Sequence, residues 1–208
     1  MTPAEDTMNA VNAKRWEDGA THWAATADER YPARHAFWDL FTTELVGGFG
    51  RRIRILELGS GPGFLAQRIL RAGVASTYTL VDISPAMHGL ARARLSDQAD
   101  KLVFVTANYG LPGWNEGLGP FDAIVSLQAV HEVRQKERVG PLYAALRRRM
   151  TSGGLALICD RYLTPEHPGD TEMHMTRAEH EAALVQGGFG DVRLLHAAAE
   201  LAMFRGVA

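Results

Sequence analysis

The segment 52–63, RIRILELGSGPG, constrains this chain more than any other stretch. Ile53, Ile55, Leu56 and Leu58 form an apolar run that leads into three glycines at alternate positions, Gly59, Gly61 and Gly63, with an acid, Glu57, just before them. A short apolar run closed by glycines and followed by a helical pattern, FLAQRILRAG, reads as a buried strand, a tight loop and a helix. Glycine lets the loop turn through conformations costly for other residues and lets a ligand approach the main chain. A plain turn does not call for three alternate glycines. The unit therefore reads as the first strand-loop-helix of a nucleotide-binding α/β sheet.

Downstream, strand and helix patterns alternate. The run 76–82 (STYTLVD) ends on Asp82, and Ser84 with Pro85 forms an N-cap and first-turn pair suited to a helix start. A third strand is expected at 101–107, before a Gly- and Pro-rich loop, and a fourth at 121–127 (FDAIVSL), running into QAVHEV. A basic helix at 135–150, ended by the turn TSGG, should precede a fifth strand at 155–160. This alternation predicts a parallel, doubly wound sheet. Near Thr176 a helix begins, with Glu179 completing a capping box, and it stops at Gly187 and Gly188. The runs 191–196 and 201–206 lie too close for a crossover helix and should pair as an antiparallel hairpin.

Residues 1–50 read as amphipathic helices interrupted at Pro32, with Trp16, Trp23, Tyr31, Phe37, Trp38 and Phe41 crowded together. Those aromatics either pack the helices onto the sheet or cover a ligand. The two GGFG tetrapeptides, at 47–50 and 187–190, each close a helix before a strand and indicate no duplication. With 208 residues, 46% of them hydrophobic, the chain supports a single domain: a helical cap over 1–50 and a cofactor-binding sheet core over 51–208.

The absence of an apolar run of roughly 20 residues, and of an apolar N-terminal segment, predicts a cytoplasmic protein without membrane contact. Cys159, the single cysteine, lies in the apolar run LALICD and reads as a buried structural thiol. A net charge of −2 argues against a nucleic-acid partner. The clusters Arg51, Arg52, Arg54 and Arg147, Arg148, Arg149 read as solvated or helix-end cations. Neither HxxxH nor CxxC occurs, so no metal site is expected.

Loop spacing separates the possible cofactors. A dinucleotide loop beginning at Gly59 needs Gly or Ala at position 64, where this chain has Phe64, and no Gly-Lys-Ser/Thr follows to make a P-loop. Glu57 would repel a pyrophosphate and favour a cofactor carrying an ammonium and a sulfonium. Asp82 follows at the spacing of about 20 residues from which a carboxylate reaches both ribose hydroxyls. Adenosine with a cationic tail fits these residues better than a dinucleotide.

ELGSGPG, VDISPAM, FDAIVSLQAVHEV and SGGLALICD occur in the order, and near the spacing, found in class I S-adenosylmethionine-dependent methyltransferases, and from residue 52 onward the chain resembles that family. The resemblance implies a Rossmann-like seven-stranded sheet, mostly parallel with the last strand antiparallel. It implies S-adenosyl-L-methionine as cofactor and S-adenosyl-L-homocysteine as product. It also implies that Glu57, Gly59, Gly61 and Gly63 flank the methionine end, that Asp82 holds the ribose, that Ile83 and Met87 contact adenine, and that Gln128 lies beside the sulfonium. Where many relatives carry an acid for the adenine amino group, this chain has Asn108 followed by Tyr109, and the Asn108 amide oxygen is expected to accept that bond.

Methyl transfer from a sulfonium needs alignment, a dry pocket and, for some acceptors, a base. His131, after the fourth strand, is the candidate base. Tyr31 and His35 on the N-terminal helices, with Asp160, Arg161, His167 and His174, are candidates to line an acceptor pocket. The low net charge and aromatic cap point to a small-molecule acceptor methylated by in-line displacement without metal. An NAD(P)-binding oxidoreductase, a non-catalytic cofactor-binding protein and an RNA or protein acceptor remain as alternatives. Phe64 and the lack of a YxxxK pair count against the first. Monomer and homodimer both stay open.

Overall fold

Seven apolar runs form one sheet in the computed structural model, which describes residues 3–166 and 168–208, with side chains at 11, 14–166 and 168–208. They are β1 (Ile53–Leu58), β2 (Ala75–Asp82), β3 (Leu102–Thr106), β4 (Phe121–Leu127), β5 (Met150–Arg161), β6 (Gly190–Ala198) and β7 (Leu201–Val207). Their order is β3-β2-β1-β4-β5-β7-β6. The first five run parallel, while β7 lies antiparallel to both β5 and β6. This is the Rossmann-like sheet expected, with its reversed last strand. The helices are α1 (Pro3–Arg30), α2 (His35–Gly48), α3 (Phe64–Arg71), α4 (Pro85–Arg94), α5 (Val139–Arg147) and α6 (Arg177–Gln186). None among the described residues is long and apolar enough to cross a membrane.

Strand alternation sends neighbouring side chains to opposite faces, and both faces are covered. Ile53 and Ile55 of β1 join Tyr78, Leu80, Val125 and the free, buried Cys159 in a core layer closed by Phe37, Phe41 and Leu45 of α2 and Ile69 of α3. Leu56 and Leu58 face the other way, where Ile124 and Ile158 meet Leu142, Tyr143 and Leu146 of α5 and Leu184 of α6. Each of these large side chains contributes roughly 1.5–3 kcal/mol on leaving water.

Two boundaries differ from the sequence reading. Expected to run over 135–150, α5 starts only at Val139, after a 3₁₀ turn at Lys136–Arg138. Pro141 explains this, because proline is tolerated in the first helical turn but disrupts the interior. β5 begins at Met150 rather than 155, so TSGG is no turn ahead of the strand. It is an irregularity inside it: Phe121 pairs with Met150 but Ala123 with Leu155. Gly153 takes φ +76 there, and a Cβ on Gly154 would stand 2.8 Å from the Asp122 carbonyl oxygen.

Asp122, fully buried at the start of β4, ties this region to β1. It accepts hydrogen bonds from Arg51 Nη2 (2.8 Å), the Arg54 backbone N–H (2.8 Å) and Arg54 Nε (3.2 Å). Arg51 and Arg54 are therefore structural partners as well as partly solvated cations. Burial alone would raise the Asp122 pKa, but these donors hold it well below the carboxylate range. A depressed folded pKa contributes stability that is present above the unfolded value near 4 and lost as pH falls through the folded one. Asp122→Ala should destabilise by about 1–3 kcal/mol at neutral pH, each kcal/mol lowering the melting midpoint by roughly 2–4 °C. The gap from the parent should narrow in melts below about pH 4. An unchanged midpoint at neutral pH would remove this tie from the account.

Candidate functional site

The cavity lies at the carboxyl ends of β1, β2 and β4, where open α/β sheets bind ligands. Gly59, at the end of β1, has φ +66, and a Cβ there would lie 2.3 Å from that of Ala129. Only glycine lets the loops after β1 and β4 approach this closely. Gly59 and Gly61 line the cavity. Gly63 does not: it is the left-handed N-cap of α3, packed toward Ala91 of α4 and Leu95 just after that helix.

Glu57, Asp82 and Glu132 supply the carboxylates of the wall. Glu57 accepts from Tyr78 Oη at 2.9 Å through Oε2. Burial raises its pKa to about 8, with Asp82 adding to the rise and the Tyr78 bond and Arg34 opposing it. Asp82 accepts the Gly61 N–H at 2.7 Å and the Ser84 N–H at 2.9 Å. Burial raises its pKa too, against those backbone donors. The carboxylate thus stitches the glycine loop to the start of α4. Ser84 caps that helix through the Met87 N–H, and its hydroxyl donates to Glu17 of α1 at 2.8 Å, which fastens the cap over the site.

Ile83, Met87, Tyr109 and Gln128 also face the cavity. Tyr109 donates its hydroxyl to the Ala129 carbonyl at 2.7 Å. Asn108 is not on the wall; its Oδ1 accepts the Gly110 N–H at 2.9 Å and closes the local turn. Gln128 has φ +54, a left-handed conformation that costs a non-glycine residue about 1–3 kcal/mol. It stands at the edge shared with a second cavity.

Sequence reasoning missed Arg34 and Ser60. Arg34 is only 4% exposed, ringed by Trp23, Trp38 and Phe64 at 5.2–5.6 Å, and its Nε and Nη1 have no hydrogen-bond partner among the described residues. Ser60 Oγ is likewise buried and unpartnered. Both line the cavity. Their only signals were the aromatic crowding and the serine inside the glycine loop. The aromatics divide: Phe37, Trp38 and Phe41 pack on the sheet, whereas Trp16 and Trp23 cover the cavity.

The second cavity shares Trp16, Trp23, Gln128 and Glu132 with the first and adds Tyr31, His131, Arg161 and His174. His131 Nδ1 lies 2.6 Å from Asp160 Oδ1, and the His131 backbone N–H donates to Oδ2 at 2.9 Å. Asp160, fully buried, sits behind the imidazole rather than on the wall. Burial would lower the His131 pKa, but Asp160 outweighs it and the net shift is upward. Nε2 is the ring nitrogen left for other partners, 3.6 Å from Glu132 Oε1. His35 is on neither wall; it packs against Trp38 and lies 3.7 Å from Asp28. His167 lies outside the described residues.

Residues 55–154 match the methyltransferase domain family. A hybrid PKS-NRPS synthetase of Fusarium sp. (strain FN080326) is 30% identical over 113 residues, 52% of this chain and 3% of the synthetase. A non-reducing polyketide synthase of Penicillium brasilianum is 35% identical over 89 residues, 40% of this chain and 4% of the synthase. The chain spans only 3–4% of the length of these curated relatives. Among solved structures, the DhpI–SAH complex superposes with a TM-score of 0.75 at 16% identity over 95% of both chains. The CurJ carbon methyltransferase reaches 0.63 at 17% identity over 76% of this chain and 49% of that one. These structural likenesses show the fold.

The burial of Glu57 has a measurable consequence. With a folded pKa near 8 against 4.5 in the open chain, the native state keeps a proton that the unfolded state releases. Its stability is therefore full below about 4.5 and declines as pH rises toward 8. Glu57→Gln, neutral throughout, should melt above the parent at about pH 8 and converge with it near pH 4.5. A gap of equal size at both pH values would refute the buried-carboxyl account.

Proposed function

Because the chain has the class I S-adenosylmethionine-dependent methyltransferase fold and residues 55–154 belong to the methyltransferase domain family, we propose that it transfers the methyl group of S-adenosylmethionine to a small-molecule acceptor. One observation carries the reading: a buried guanidinium with two unpartnered nitrogens and a buried carboxyl line the same cavity. That donor set suits the carboxylate and ammonium of a methionine tail, which Arg34 and Glu57 would hold. Asp82 would receive the ribose hydroxyls beside the backbone donors it already serves, since a carboxylate has about four acceptor sites. Gly59 and Gly61 would border the methionine end, Ile83, Met87 and Tyr109 the adenine, and Gln128 the sulfonium. Asn108 and Gly63 act on this site through the loop and the helix that they shape. Related folds crystallised with the donor or its product, such as human N-acetylserotonin methyltransferase with SAM and PigF with SAH, support the same ligand.

When bound, S-adenosylmethionine supplies a methyl group activated by its sulfonium. The chain's own residues then align the acceptor and keep water out, a task for Trp16, Trp23 and Tyr31. For an acceptor that must lose a proton, His131 Nε2 takes it, with Asp160 fixing the ring and raising its basicity. His35, held outside both cavities, has no part in this scheme.

Methyl-labelled S-adenosylmethionine, incubated with the protein and separate metabolite, RNA and protein fractions, should label the metabolite fraction. Label in RNA or protein would displace the small-molecule reading. Arg34→Gln and Asp82→Ala should each weaken S-adenosylmethionine binding by calorimetry about tenfold or more, as expected for a lost charged hydrogen bond. Undiminished affinity in both would sink the site assignment. His131→Gln should lower kcat by about 10²–10⁴ with donor affinity retained. In the parent, kcat should fall on the acid side with an apparent pKa above the ordinary histidine value near 6.5. Because Asp160 raises that pKa, Asp160→Asn should move the limb to lower pH.

A further inference from the structure

The second cavity holds more positive charge than methyl transfer itself requires. Arg15 and Arg30 of α1 and Arg161 at the end of β5 line it, opposed among the described residues by one carboxylate, Glu132. Glu132 already lies 3.6 Å from His131 and 3.7 Å from Arg134. None of the three guanidinium groups forms an ion pair with a carboxylate among the described residues. Arg30 Nη2 is 2.8 Å from His22 Nε2, Arg15 lies over the Trp16 ring and Arg161 over the Tyr31 ring at 5.1 Å.

This is not a shortage of acids. The chain carries a net charge of −2, and several of its cations find carboxylates: Arg51 and Arg54 on Asp122, Arg205 on Asp191 and Glu44, Lys136 on Glu179. Arg15, Arg30 and Arg161 instead share one concavity that opens beside Gln128 and His131. Cations lining such a cleft raise the local concentration of an anion, and a guanidinium fork matches the paired oxygens of a carboxylate or phosphoryl group. Stacking on Tyr31 limits the freedom that Arg161 would lose on binding.

We propose that the second cavity is an acceptor subsite that recognises an anionic oxyacid: the methyl acceptor carries an ionised carboxylate or phosphoryl group, held by Arg161 and Arg30, with its reacting atom toward Gln128 and His131. The proposal rests on the methyltransferase reading above for calling the ligand an acceptor, but the anion preference stands on the cavity's own charges. Cations that merely face solvent would show no such preference.

Intrinsic fluorescence of the cavity tryptophans allows a direct test. The protein, with and without S-adenosylhomocysteine, is titrated with benzoate, phenylphosphonate and the neutral benzamide. Either anion should bind at least about tenfold tighter than benzamide, the scale of one charge-assisted hydrogen bond. The stronger of the two identifies the oxyacid. Arg161→Gln should abolish the preference, Arg161→Lys should retain part of it, and Arg30→Gln should reduce it, all with calorimetric S-adenosylhomocysteine affinity unchanged. Equal binding of benzamide, or an undiminished preference in both glutamine variants, overturns the anion subsite while leaving the donor assignment intact. Failure of the parent to bind S-adenosylhomocysteine overturns the donor assignment instead, and the titration of the free protein still decides the anion preference.

Discussion

The Asp82 carboxylate is the joint on which the candidate site depends. It accepts one backbone N–H from the glycine loop and another from the start of α4, and so locks two segments that no strand pairing connects. Through Ser84, the same corner is bonded to Glu17 of the cap. Loop, helix and lid therefore share one anchor. The approach of Gly59 to Ala129 completes the arrangement from the other side and sets the distance between the β1 and β4 ends. A ligand entering here meets a floor that is already assembled, which reduces the ordering cost of binding.

Buried charge shapes the same cavity. Glu57 sits in the apolar interior with Tyr78 as its hydrogen-bond partner, and its raised pKa shows how much that location disfavours a lone negative charge. Arg34 is buried among three aromatic rings, and its guanidinium is likewise pushed toward losing its charge, chiefly by desolvation. A carboxyl and a guanidinium kept this dry are costly to charge in the free protein and suit a zwitterionic ligand that would satisfy both. The cavity next to it differs. There the cations remain partly solvated, and His131 and Asp160 form a buried pair behind them.

Much of the architecture was legible because its signals are local. Alternating and continuous apolar runs marked the strands, Ser84-Pro85 and Thr176 with Glu179 marked helix starts, and glycines marked the loop. The two misplaced boundaries had local causes that outweighed the broader pattern. Pro141 restricts where α5 can begin, and the glycines of TSGG allow an irregular strand where a turn was expected. Asn108 stood at the right place in the sequence, yet its side chain satisfies its own turn. The His131–Asp160 pair was present in the reading only as two separate candidates. They became partners because β4 and β5 run side by side.

The sequence by itself determined the order of elements, the glycine-loop geometry and the acids at the carboxyl ends of β1 and β2. Those properties follow from backbone conformational limits and from neighbours a few residues away. Only the tertiary structure decided which charged groups lose water and which remain unpaired. Arg34 became a buried cation because α2 packs against α3 with the cap alongside, and Arg161 joined Arg30 at one cavity because β5 ends beneath α1. Desolvation and charge pairing depend on segments far apart in the chain, so no local pattern encodes them.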